Sequence, residues 1–132
     1  METHLKTIEE LMTNLPDKDR EALVVAFEMR SWPIGSYISN QGERDENEYL
    51  LLSGRARSVV TDAEGTEVNL SLYAAPVVIT PNMARTSGGY SLVDIEVLDD
   101  AVAATMLAAQ LMDLMVNFES IREWGNNVMR EE

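Results

Sequence analysis

A mainly β domain with helices at both ends is what this sequence of 132 residues predicts. Three observations predict it. Apolar residues recur at helical spacing in residues 1–28 and again in 107–132, and over residues 29–106 they alternate with polar ones. The alternating stretch is also cut into short runs by turns that carry glycine, which is the pattern of an antiparallel β-roll.

At the N-terminus, "LKTIEELMTNL" puts Leu5, Ile8, Leu11, Met12 and Leu15 on one helical face. Pro16 interrupts it, and Asp17 is the expected N-cap of a second helix whose Leu23, Val24 and Phe27 face inward. The period changes to two from Trp32. "GSYISNQGE" reads as a short strand followed by a turn at Gly42, and "EYLLLSG" as an apolar strand closed by Gly54. "RARSVVTDAEGTEVNLSLY" reads as a hairpin around Asp62-Ala63-Glu64-Gly65. In its second strand Val68, Leu70 and Leu72 are expected to form a buried face, with Glu67, Asn69 and Ser71 wet. "LVDIEVLDDAVAATM" alternates again, and Asp99-Asp100 are expected to turn the chain into one more short strand. The tail returns to helix, with Leu107, Leu111, Leu114 and Met115 on one face, then Ile121, Trp124 and Val128 in a second segment. The methionines at 12, 106, 112 and 115 read as core fillers.

Composition narrows the function. The chain has no cysteine and one histidine, His4, so a disulfide framework, a cysteine-based metal site and a histidine-based catalytic triad are all excluded. "ERDENE", Glu43 to Glu48, lacks the spacing of a calcium loop and reads as a solvated acidic segment. No catalytic constellation is present, and a non-enzyme is expected. The formal charge of −13 opposes phosphate backbones and anionic membranes, so no binding to nucleic acid is expected from this chain alone. There is no signal peptide and no run of about 18 apolar residues, which suits a cytoplasmic protein.

The order of elements and the segment Gly35 to Leu70, with Gly35, Gly42, Gly54 and Gly65 at its corners, resemble the cyclic-nucleotide-binding domain. The likeness is greatest to the N-terminal sensor domain of Crp/Fnr-type bacterial transcription regulators, and it extends over essentially the whole chain. It implies an eight-stranded antiparallel jelly roll of the cyclic-nucleotide-binding-domain type, as one domain over residues 1–132. It also implies homodimerisation through a helix after the roll, here a seam of Ile121, Trp124 and Val128. DNA would be contacted through a helix-turn-helix beyond that helix, and none is expected within these residues. The stretch "ITPNMARTSGGYS", Ile79 to Ser91, stands where the family has its phosphate-binding cassette. There the resemblance places Pro81 at the close-approach glycine, Asn82 at the ribose-binding glutamate and Ser91 at the phosphate-binding arginine. Such a cassette is degenerate, and neither cyclic AMP nor cyclic GMP is expected to bind. A different small anionic effector would have Asn82, Met83, Arg85, Thr86, Ser87, Gly88, Gly89 and Ser91 as candidate contacts. The other reading is a stand-alone interaction module that uses the roll without a nucleotide.

Overall fold

The computed structural model describes residues 2–79 and 89–130. Two helices come first, α1 (Glu2–Leu11) and α2 (Asp17–Ala26). Ile8, Met12 and Leu15 are buried, and Pro16 rather than Asp17 occupies the N-cap, with its carbonyl taking the Arg20 N–H at 2.9 Å. Asp17 is instead the first helical residue and pairs with Arg20, where a carboxylate suits the positive end of the helix. The first strand begins four residues before Trp32, because Phe27 is already extended.

Six strands follow: β1 (Glu28–Trp32), β2 (Tyr37–Ser39), β3 (Asn47–Thr61), β4 (Glu67–Ala74), β5 (Val77–Ile79) and β6 (Asp94–Leu107). Where the sequence suggested eight separate strands, the described residues form six, because Gly54 and Asp99-Asp100 bend long strands without ending them. Each long strand serves two layers. One layer pairs β1 with β6, β6 with β3 at Asn47–Leu51, and β3 with β5. The other pairs β2 with β6, β6 with β3 at Arg55–Val59, and β3 with β4. The register of β3 on β6 shifts three times around Gly54, between Leu51 and Ala56.

Between the two layers lies one core, with Tyr49, Leu51, Ile79 and Ala103 from the first and Ile38, Ala56, Ile95 and Val97 from the second. Trp32 meets Tyr49 edge-to-face at its margin, with ring centroids 5.9 Å apart. The outer face of the first layer carries Leu50, Leu52, Val78 and Met106, and the helices cover it with Ile8, Met12, Leu23, Leu111 and Ile121. That double burial explains the unbroken apolar run of "YLLL".

The hairpin tip forms as expected, with Asp62 Oδ1 accepting from the N–H groups of Glu64 and Thr66, both at 2.9 Å. The buried face expected for β4 does not form. Val68, Leu70 and Leu72 are all exposed, Leu72 to 65%. Both faces of β4 are open, residues 67–72 all being exposed, and the strand also carries a bulge. Ser58 pairs with Ser71 and Val59 with Asn69, leaving Leu70 unopposed. Val68 therefore lies opposite Val60 and Leu72 opposite Arg57, on opposite sides of the sheet.

The chain ends in α3 (Ala108–Asn117) and α4 (Glu119–Arg130). Leu111 is buried and Leu114 and Met115 pack against the helix-side core. Leu107 ends β6 half exposed, and Met112 faces outward rather than filling the core. No helix of the described residues is long and apolar enough to cross a membrane.

Candidate functional site

Strand β5 delivers the chain to the loop at Ile79, and the chain is described again at Gly89. Of the expected ligand contacts, Asn82, Met83, Arg85, Thr86, Ser87 and Gly88 lie outside the described residues, as does Pro81. Gly89 and Ser91 can be placed.

Both belong to a short ladder that holds the end of the loop against the turn following β2. The Gly89 carbonyl accepts the Asp45 N–H at 2.8 Å, and the Ser91 N–H donates to the Glu43 carbonyl at 2.8 Å. The Gly42 N–H donates to the Ser91 carbonyl at 2.9 Å, and Arg44 bridges Tyr90. Gly89 has φ +72°, and a Cβ there would stand 3.2 Å from Glu46 Cγ, so glycine suits the close approach. Ser91 is 2% exposed, and its hydroxyl donates to the Val93 carbonyl at 2.6 Å. That hydroxyl closes a local turn instead of facing a ligand.

Behind the ladder sits a feature that sequence reasoning missed. "ERDENE" is not wholly solvated: Asp45 and Glu48 are buried. Asp45 Oδ1 accepts the Asn47 N–H at 3.0 Å, and Oδ2 accepts the Tyr49 hydroxyl at 2.9 Å. The available signal was Asp-x-Asn directly before a strand, the spacing of an Asx-turn. Glu48 lies on the helix-facing side of β3, in the row of Leu50 and Leu52, beneath Phe27, Leu111 and Trp124.

Burial, and then the Asp45 carboxylate, push the Tyr49 phenol above its ordinary value of 10.0. A folded value above the unfolded one means that the stabilisation is complete below pH 10.0 and is lost as pH rises beyond it. Tyr49→Phe is expected to cost about 1–3 kcal/mol at neutral pH, by leaving a buried carboxylate oxygen without its donor. The variant should also lose less stability than the wild type above pH 10. Urea denaturation at pH 7 and at alkaline pH checks both. An unchanged alkaline slope would contradict the assignment.

A cavity of about 180 Å³ adjoins the ladder, bounded by Ser39, Asn40, Glu43, Arg44, Asp45 and Tyr49 among others. The Ser39 hydroxyl oxygen is buried there without a hydrogen-bond partner among the described residues. Glu43 and Asp45 give the wall negative charge, and the Arg44 guanidinium is engaged by Glu46 at 2.9 Å. A phosphate needs an available guanidinium or a nest of amides, and these residues supply neither. Among the described residues no group of three or more His, Asp or Glu side chains could hold a metal ion.

Two residues of the expected pairing seam on α4 are engaged within the chain itself. Ile121 is 0% exposed and belongs to the cluster of Ile8, Met12 and Leu23. The Trp124 indole N–H donates to the Leu11 carbonyl at 3.0 Å, and the Ser120 hydroxyl donates to Asp19 Oδ2 at 2.6 Å. Periodicity alone shows that a helix has an apolar side, and here that side covers α1 and α2. The Val128 side chain lies outside what is described.

No protein-family model matches the chain, and no curated protein matches it. Solved structures do. The chain is similar to the Thermus thermophilus catabolite activator protein, with TM-score 0.75 and 19% identity, over 92% of this chain and 56% of that one. It is similar to the sensor domain of the transcriptional regulator DNR from Pseudomonas aeruginosa, with TM-score 0.77 and 14% identity, over 97% of this chain and 85% of that one. A cyclic nucleotide-binding domain from Methylobacillus flagellatus KT gives TM-score 0.78 and 12% identity, over 96% and 74% of the two chains. The chain thus spans little more than half the length of the activator protein. The likeness defines the fold: a cyclic-nucleotide-binding-like β-roll with flanking helices.

Proposed function

We propose that this chain is the sensor and dimerisation domain of a Crp/Fnr-like transcription regulator whose cassette does not take cyclic nucleotide. The observation that carries the second half is Ser91. At the position where the resemblance puts the phosphate-binding arginine stands a buried hydroxyl committed to the Val93 carbonyl. The acidic wall of the neighbouring cavity supports the same reading. The first half rests on similarity of fold to regulators and their sensor domains. A non-enzymatic role in the cytoplasm belongs to this reading. So does the absence of duplex-DNA binding by this chain alone, whose charge of −13 repels phosphate.

The test is calorimetry with cyclic AMP and cyclic GMP. No saturable heat is expected for either nucleotide up to millimolar concentration. A micromolar dissociation constant for either one would overturn the reading.

The second reading, a stand-alone interaction module, is favoured by the large apolar side chains left exposed on both sides of β4, Val68 on one and Leu72 on the other. Cross-linking at β4 in cells separates the two. Capture of a partner that does not bind DNA would favour the module.

A further inference from the structure

We propose that the groove between α3 and α4 binds an amphipathic carboxylate, with its head on Arg122 and its aliphatic tail along Met112 and Val116. This site lies away from the cassette and goes beyond the sensor reading above.

The groove encloses about 420 Å³ and is walled by Leu111, Met112, Met115 and Val116 from α3, with Arg122 and Asn126 one turn apart on α4. Met112 is 57% and Val116 68% exposed, so two large apolar side chains on one face of α3 are left to water. They sit four residues apart, hence on the same helical face, in line with an extended tail.

Charge selects the head. The other arginines whose side chains are described each pair with a carboxylate: Arg20 with Asp17, Arg30 with Glu28, Arg44 with Glu46, Arg55 with Asp99, and Arg57 with Glu96. Arg122 pairs with none among the described residues. Its one side-chain hydrogen bond among the described residues runs from Nη1 to the Met115 carbonyl at 3.3 Å. In a chain of net charge −13, a guanidinium left without a carboxylate at the rim of an apolar groove is the exception. Its planar fork keeps donors for a bidentate carboxylate, and the Asn126 amide stands beside it. Glu48 also borders the groove, from the β3 side. A head placed there would meet a carboxylate, so an anion is accepted only on the α4 side.

Decanoate, below its micelle concentration, is the probe, followed by amide chemical shifts of the labelled chain. Decanol and decyltrimethylammonium are the controls for tail and charge. Saturable shifts are expected at residues 108–116 and 122–126 with decanoate. Decanol should bind at least tenfold more weakly, and the ammonium compound more weakly still. Arg122→Gln should weaken decanoate at least tenfold, and Met112→Glu should remove binding with the fold intact, since Met112 is exposed. The proposal is overturned if no saturable shift appears, or if the shifts fall elsewhere. It is overturned equally if decanol matches decanoate, if the ammonium compound binds best, or if either variant binds decanoate as the wild type does.

Discussion

Gly54→Ala is expected to destabilise the chain by about 2–5 kcal/mol, a large share of the stability of an ordinary domain. Two costs combine at this position. Gly54 has φ +91°, in the left-handed region, where an L side chain costs about 1–2 kcal/mol. A Cβ there would also stand 2.4 Å from the Asp100 carbonyl oxygen and 2.9 Å from Ala101 Cα. Both are backbone atoms, and displacing packed backbone costs about 1–3 kcal/mol more. The site cannot yield easily, because it is where β3 and β6 bend together and pass from one layer to the other. Gly65→Ala provides the comparison. Gly65 has φ +84° and nothing within 4 Å of a Cβ, so only the conformational cost of about 1–2 kcal/mol is expected. Urea titrations of both variants measure the difference. Equal losses would show that the crossing of β3 and β6 relaxes around the added methyl.

The sequence exposed the corner at Gly54 but not its nature. A glycine after an apolar run reads as the end of a strand. Only the partner strand shows that the run continues on the far side, now paired with Asp99 and Val97. The run "YLLL" was legible as a strand from its apolar side chains, but that it is buried on both sides follows only from the layers packed on it. The hairpin at Asp62–Gly65 was legible because its hydrogen bonds lie within the turn itself. The exposed side chains of β4 were not legible. The alternation of Val68, Leu70 and Leu72 is regular, yet a buried face needs another element to cover it, and both faces of β4 are open. Asp45 was hidden for a similar reason. Its burial depends on Tyr49 and on the return of Gly89, while its own neighbours are charged and polar. In the candidate site, the residue types that the resemblance sets against the cassette, Pro81, Asn82 and Ser91, are legible in the sequence. The turn of the Ser91 hydroxyl onto Val93 is local, but the burial of Ser91 comes from its backbone pairing with Gly42 and Glu43, far away in the chain.

Ile121→Ala is expected to cost about 2–5 kcal/mol, and the cost should not depend on protein concentration. The residue is 0% exposed in a single chain, packed in one cluster with Ile8, Met12 and Leu23 from the two N-terminal helices. Truncation there removes transfer energy and leaves a cavity. The surroundings are held in place, since Trp124 is hydrogen-bonded to Leu11 and Ser120 to Asp19 on either side of it. Collapse around the missing atoms is thereby hindered, which favours the upper half of the range. The alternative assignment, Ile121 as the centre of a seam between two chains, makes a different prediction. A residue buried by association contributes through mass action, so its loss would shift the midpoint in proportion to the logarithm of concentration. Urea denaturation of wild type and variant at two concentrations a hundredfold apart, with sedimentation alongside, separates the cases. A core role gives the same loss at both concentrations and an unchanged sedimentation coefficient. A loss confined to the higher concentration, with dissociation of the wild-type dimer in the variant, would return Ile121 to the interface and require α4 to swing away from α1 and α2.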